Sequence, residues 1–140
     1  MNKFFPEIRK NFGFGMMRLP MLEDGVDIPQ TCKMVDAFLE AGFNYFDTAH
    51  GYIGGKSELA VKDCLTARHP RDSYILTDKL SPSFFKTEAD IRPYFDSMLE
   101  ACGVEYFDLY RSSCRSIYDS HRFANQGALL LNIPCRSSAV

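Results

Sequence analysis

Apolar positions along this chain fall alternately into helical stripes and short continuous runs. From about Gln30 to Ala41, Met34, Val35, Phe38 and Leu39 lie at i, i+1, i+4 and i+5, one stripe of a helix. Gly42 follows where a residue able to take positive φ would end it. A second helix is predicted from Ser57, a residue type suited to cap it, with Ala60, Val61, Cys64 and Leu65 on one face. It ends before Pro70, and Arg68 and His69 suit a helix C-terminus. A third shows Ile91, Tyr94, Phe95, Met98, Leu99 and Cys102 at helical spacing. Pro93 must fall in its first turn, so Asp90 is the expected N-cap and Gly103 the stop.

Each helix leads into a short apolar, aromatic run that reads as a buried strand: residues 43–46, 74–77 and 106–110. Two junctions are near copies, Gly42-Phe43-Asn44-Tyr45-Phe46-Asp47 and Gly103-Val104-Glu105-Tyr106-Phe107-Asp108. A shorter run, Phe12-Gly13-Phe14-Gly15, reads as one more strand. The strands recur about every thirty residues, the length of a βαβ unit, and such alternation implies a parallel α/β sheet. The repeat suits a (β/α)8 barrel better than a doubly wound sheet, although periodicity alone does not separate them. A whole TIM barrel takes roughly 200–250 residues, so 140 residues would make the N-terminal portion, truncated at about half a barrel. Open strand edges would then invite self-association.

Composition narrows the class. Hydrophobic residues are 46% and charged residues 24%, a balance that can bury a core. The net charge of −2 gives no footprint for nucleic acid or an anionic membrane. There is no secretory h-region at the start and no apolar stretch long enough to span a bilayer. The five cysteines, Cys32, Cys64, Cys102, Cys114 and Cys135, form no CxxC or Cys/His ligand pattern, so no metal site is expected. Free thiols without an export signal suggest a reducing, cytoplasmic setting, with the first three as buried structural thiols.

Candidate chemistry gathers where barrels carry it, at the C-terminal ends of strands. Asp47 closes one predicted strand, Tyr52 lies five residues on, and Lys79 closes the next. An ammonium beside a phenol favours the phenolate, a carboxylate holds the ammonium charged, and the phenol can pass a proton to a carbonyl oxygen. Singly, a strand-end Asp caps a turn, a loop Tyr is surface and a strand-end Lys is solvated. Their joint order on adjacent strand ends makes the catalytic reading the stronger one.

Four motifs carry a family resemblance over residues 10–110. They are Phe12 to Pro20 (FGFGMMRLP), Ala41 to Tyr52 (AGFNYFDTAHGY) followed by Ser57-Glu58, Leu76-Thr77-Asp78-Lys79, and Gly103 to Tyr110 (GVEYFDLY). In order and spacing they resemble the N-terminal part of the aldo-keto reductases, and most nearly a bacterial subgroup, some of whose members carry an iron–sulfur segment far downstream. The resemblance implies a (β/α)8 barrel, NADP(H) as cofactor and reduction of a small-molecule carbonyl to an alcohol. It implies Tyr52 as general acid, supported by Lys79 and Asp47. Gly15, Met16 and Met17 would lie against the nicotinamide end of the cofactor, with Asp47 near the adjoining ribose.

The family's fourth catalytic residue, a His after the fourth strand, would fall at Ser113, and His121 is eight residues too late. Residues 111–140 hold four Arg, one Asp and six Ser, a net +3 against −5 for residues 1–110. Two portions are therefore expected: 1–110, reductase-like, and 111–140, a divergent tail of the kind that translation in another frame would give. Most adenosine and 2′-phosphate contacts of the family come from later strands, so the 140 residues alone are expected to be inactive. Two rivals stand beside this. One is a non-catalytic binding protein, or remnant, with the reductase fold. The other is a P-loop-like nucleotide site at Gly51-Tyr52-Ile53-Gly54-Gly55-Lys56-Ser57, one residue short because His50 stands where the first glycine should be.

Overall fold

The computed structural model describes residues 6–112. In chain order the elements are β1 (Gly13–Gly15), β2 (Met21–Leu22), β3 (Gly25–Val26), α1 (Ile28–Glu40), β4 (Tyr45–Asp47), α2 (Lys56–Val61), β5 (Ile75–Leu80), α3 (Ile91–Cys102) and β6 (Leu109–Ser112). β1, β4, β5 and β6 form one parallel sheet in that spatial order. Among the described residues no strand reverses the order, as one must at the switch point of a doubly wound sheet. Each helix returns the chain to the next neighbour, α1 packs on the continuation of α2, and α2 packs on α3. This is the winding of a barrel, present over three β/α steps and a fourth strand.

Alternation along the strands sorts the two faces. Phe46, Leu76, Leu80 and Phe107 are buried and pack with Val35, Val61, Leu65, Phe95 and Met98 of the helical layer. Burying each such side chain contributes roughly 1.5–3 kcal/mol. Phe38 of α1 anchors an aromatic cluster, its ring 4.9 Å from Phe43, 5.2 Å from Phe46 and 5.4 Å from Phe14. On the other face, Gly13, Tyr45 and Ile75 form one row in register, and Gly15, Asp47 and Thr77 form the next.

Helix boundaries moved where side chains found other work. α1 begins two residues earlier than Gln30, because Asp27 accepts from the backbone N–H of Gln30 at 2.9 Å and Pro29 fits the first turn. Ser57 does not cap α2. Its N-cap is Gly55, and the Ser57 hydroxyl is buried, donating instead to the carbonyl of Met16 at 2.9 Å. α2 then widens into a π-helical turn over Lys62–Thr66. α3 starts at Ile91 with Asp90 in the expected N-cap position, although the Asp90 side chain makes no cap hydrogen bond to α3. Thr87 caps a preceding 3-10 turn, and Asp90 completes a reciprocal capping box by accepting from the Thr87 N–H at 2.8 Å. Gly103 does end α3, at φ +66°.

β4 and β6 start later than their apolar runs, and β5 extends three residues past Thr77, carrying Lys79 inside the strand. β6 also runs across the boundary expected at residue 110, while the rest of the tail, from Ser113 onward, lies outside the described residues. The sequence reading missed the hairpin β2–β3, although Asp24-Gly25 is a turn signal. Arg71 ties the lower ends of β5 and β6. Its guanidinium pairs with Asp108 at 2.6 Å and lies over the rings of Tyr74 and Tyr106. Asp108 also accepts from the Leu76 N–H at 2.8 Å.

A Cβ on Gly13 would meet the Tyr45 ring at 2.5 Å, whereas one on Gly15 would meet nothing within 4 Å. Gly13→Ala should therefore cost about 1–3 kcal/mol in urea unfolding, and Gly15→Ala much less. Equal costs would contradict this packing.

Candidate active site

Asp47 ends β4, and Lys79 lies one residue before the end of neighbouring β5. In-register parallel pairing places their side chains on the same face. The Lys79 ammonium donates to the Asp47 carboxylate and, at 2.8 Å, to the Thr48 carbonyl. It also sits 4.7 Å from the centroid of the Tyr52 ring, a cation–π distance. The three residues picked from sequence thus meet. The contact differs in one respect: Lys79 addresses the ring face of Tyr52, and among the described residues no hydrogen bond engages its hydroxyl.

The loop carrying Tyr52 is held from beneath. The Thr48 and Ser57 hydroxyls hydrogen-bond at 2.8 Å, Ser57 reaches the Met16 carbonyl, and the Met16 N–H donates to the Asp47 carbonyl at 2.8 Å. This latch joins β1, β4 and α2 within the core. After Tyr52, Ile53, Gly54 and Gly55 all take positive φ, which turns the chain sharply into α2. A β-branched residue at φ 53° is strained, of order 1–3 kcal/mol, and the strain lies next to the phenol.

The three residues expected at the cofactor separate. Gly15 is exposed at the end of β1, with open space where its Cβ would be. Met17 is exposed, whereas the Met16 side chain is fully buried in the core, so only its backbone faces the loop. Gly15 and Asp47 end the neighbouring strands β1 and β4, Met17 follows two residues after Gly15, and Lys79 lies near the end of β5. Lys56, the lysine of the P-loop reading, turns away instead: its ammonium would lie 3.2 Å from a Cβ on Gly25 of β3. Asp108 is bound to Arg71 at the opposite ends of the strands. Ser113 and His121 lie outside the described residues. Arg111, which drew no role from sequence, is exposed on β6 in register with Lys79.

A second polar group lies on the reverse side of β5. Glu58, Asp78 and Cys102 are buried, with ligand-capable atoms within 4.8 Å of one another. His50 is not a plain surface residue: its Nδ1 lies 2.9 Å from Glu58 Oε2, and its ring meets Phe84 and Tyr94 edge-on. Burial pushes the Glu58 carboxyl up to about 7, and burial plus the adjoining Glu58 hold Asp78 well above the carboxylate range. At neutral pH the pair retains a proton, since two adjacent buried carboxylates cannot both ionise cheaply. Cys102 donates toward Asp78 at 3.8 Å and is likewise pushed upward by burial. Glu58 stood in the recognised motif, but nothing in the sequence paired it with Asp78.

The family model for the aldo/keto reductase family matches residues 11–119. The chain belongs to the aldo/keto reductase family. Among curated relatives, a probable aryl-alcohol dehydrogenase of Saccharomyces cerevisiae is 34% identical over 124 residues, covering 72% of this chain and 37% of its own length. Norsolorinic acid reductase B of Dothistroma septosporum is 37% identical over 58 residues, 41% of this chain and 15% of its own. Among solved structures, an aldo-keto reductase from Bacillus halodurans in its holo form is 27% identical with a TM-score of 0.61, covering 85% of this chain and 43% of that one. An aldo-keto reductase from Klebsiella pneumoniae in complex with NADPH has a TM-score of 0.63 at 20% identity, covering 82% of this chain and 41% of that one. The chain spans about two-fifths of the length of these two structures. The aldo-keto reductase architecture is therefore shown as a partial (β/α)8 barrel. Among the described residues no helix is long and apolar enough to cross a membrane.

In the folded chain Glu58 holds a proton up to about pH 7, against an ordinary value of 4.5. The unfolded chain releases that proton earlier, so stability should fall as pH rises from about 4.5 through 7. Glu58→Gln should reduce this slope to the share that the buried Asp78 carries. At about pH 8 the variant should be the more stable in urea, by at most roughly 2–3 kcal/mol, and near pH 5 the gap should shrink. A wild type that gains stability across this window through Glu58 would contradict the assignment.

Proposed function

We propose that Asp47, Tyr52 and Lys79 are the proton-delivery part of an NADP(H)-dependent carbonyl reductase. The observation that supports this reading best is the Lys79 ammonium, which joins the Asp47 carboxylate, the Thr48 carbonyl and the Tyr52 ring at the ends of adjacent strands. When bound, the nicotinamide supplies hydride to the carbonyl carbon. Tyr52 gives its hydroxyl proton to the carbonyl oxygen, yielding an alcohol. Lys79 carries the positive charge that stabilises the phenolate left behind, and Asp47 holds Lys79 charged and in place. Gly15 and Met17 with Asp47 would border the nicotinamide end, and the buried Met16 would anchor that loop in the core.

The substrate class is a small aldehyde or ketone. Free thiols at Cys32, Cys64 and Cys102 agree with a reducing, cytoplasmic setting. β1 and β6 are the outer strands of the described sheet, and self-association would run through such edges.

In protein that contains the whole barrel, Tyr52→Phe should lower kcat for aldehyde reduction by about 10²-fold or more, with a smaller change in KM. The 140-residue chain by itself should oxidise no NADPH in the presence of an aldehyde, measured at the nicotinamide absorbance. Turnover by the 140 residues, lost on Tyr52→Phe, would overturn the expectation of inactivity. Turnover that survives Tyr52→Phe in the whole barrel would overturn the assigned acid and favour a site elsewhere.

A further inference from the structure

Cys32 lies on α1, and Cys64 lies in the π-helical turn that continues α2. Their sulfurs face each other at 2.9 Å across the packed helices, less than about 1 Å beyond a disulfide bond of roughly 2.05 Å. The two residues come from adjacent β/α steps, 32 positions apart. Cys64 Sγ reaches the Ile28 carbonyl at 3.5 Å and Cys32 Sγ the Asp63 carbonyl at 4.0 Å, and the Arg68 guanidinium also interacts with Cys32. Exposure divides them, since Cys32 is half-buried and Cys64 fully buried. Both stand in the helical layer, on the other side of the sheet from Tyr52 and Lys79.

We propose that Cys32 and Cys64 form an oxidisable pair, a modification site at which a small peroxide joins α1 to α2 through an intrachain disulfide. The partly exposed sulfur of Cys32 attacks hydrogen peroxide, giving a sulfenic acid and one water. The neighbouring Cys64 sulfur then displaces the hydroxyl as a second water, and the S–S bond forms. Two thiols lose two electrons and two protons, and the peroxide takes both. Burial pushes the Cys64 thiol up to about 12, so it stays protonated and unreactive until the sulfenic acid stands beside it. A reducing compartment would return the pair to thiols, as suits a transient oxidation. Cys102, fully buried against Asp78, has no such neighbour among the described residues and serves as an internal comparison. This site is independent of the proposed catalytic role.

The test is to expose the full chain to limiting hydrogen peroxide, alkylate the remaining thiols and map tryptic peptides by mass. A crosslink between the peptides 19–33 and 63–68, two hydrogens lighter than their sum and removed by dithiothreitol, is expected. It should exceed any other cysteine pair by at least about tenfold, and fall to the common level in concentrated urea, because only packing holds the sulfurs together. In Cys64→Ser, Cys32 should be trapped by dimedone as its sulfenic acid. Wild-type Cys32 and Cys64 both remaining alkylatable, Cys32 passing to sulfinic acid without a crosslink, or equal crosslinking in urea would each overturn the proposal.

Discussion

One ammonium group organises the open face of this sheet. Lys79 reaches from β5 to the carboxylate and carbonyl at the end of β4, and the Tyr52 ring covers it. Both partners of the Lys79–Asp47 pair are mostly buried, at 14% and 23% exposure. A charge so placed is costly without its partner, so each residue constrains the other. The parallel register makes the meeting possible, because Asp47 pairs with Thr77 and Lys79 lies two residues further along the same face. The Met16–Ser57–Thr48 latch then fixes the loop on which Tyr52 rides.

Much of this was legible in the sequence. The β/α order, the stop at Gly103 and the grouping of Asp47, Tyr52 and Lys79 follow from local patterns and from strand ends, which are short-range properties. What stayed hidden depends on partners far along the chain. Ser57 has the chemistry of a helix cap, but a carbonyl 41 residues away claims its hydroxyl. Met16 looked like part of a cofactor surface, and the core took its side chain. Asp90 holds the expected N-cap position of α3, but its side chain turns back to the Thr87 N–H, a pairing the helical pattern does not show. The choice between barrel and doubly wound sheet required the strand order, which no single strand encodes.

Glu58 and Asp78 belong to a different layer from the proposed catalytic group, although Asp78 directly precedes Lys79 in sequence. Alternation along β5 sends Lys79 to the open face and Asp78 to the helices, and the turn after Tyr52 delivers Glu58 to the same interior. A buried, proton-sharing carboxyl pair thus backs the strand that presents the ammonium. His50 connects it to the loop, since its ring packs on Phe84 and Tyr94 while its Nδ1 meets Glu58. The same helical layer brings Cys32 and Cys64 together, so one packing arrangement accounts for both features.

The central claim is that Lys79 and Asp47 act as one unit on this face. A double-mutant cycle of Asp47→Asn and Lys79→Met, read by urea unfolding of the described fold, tests it most directly. The account predicts a coupling above about 1 kcal/mol, larger than exposed pairs give. A coupling indistinguishable from zero would mean that the two side chains are independent and that the proposed centre is not assembled by the fold.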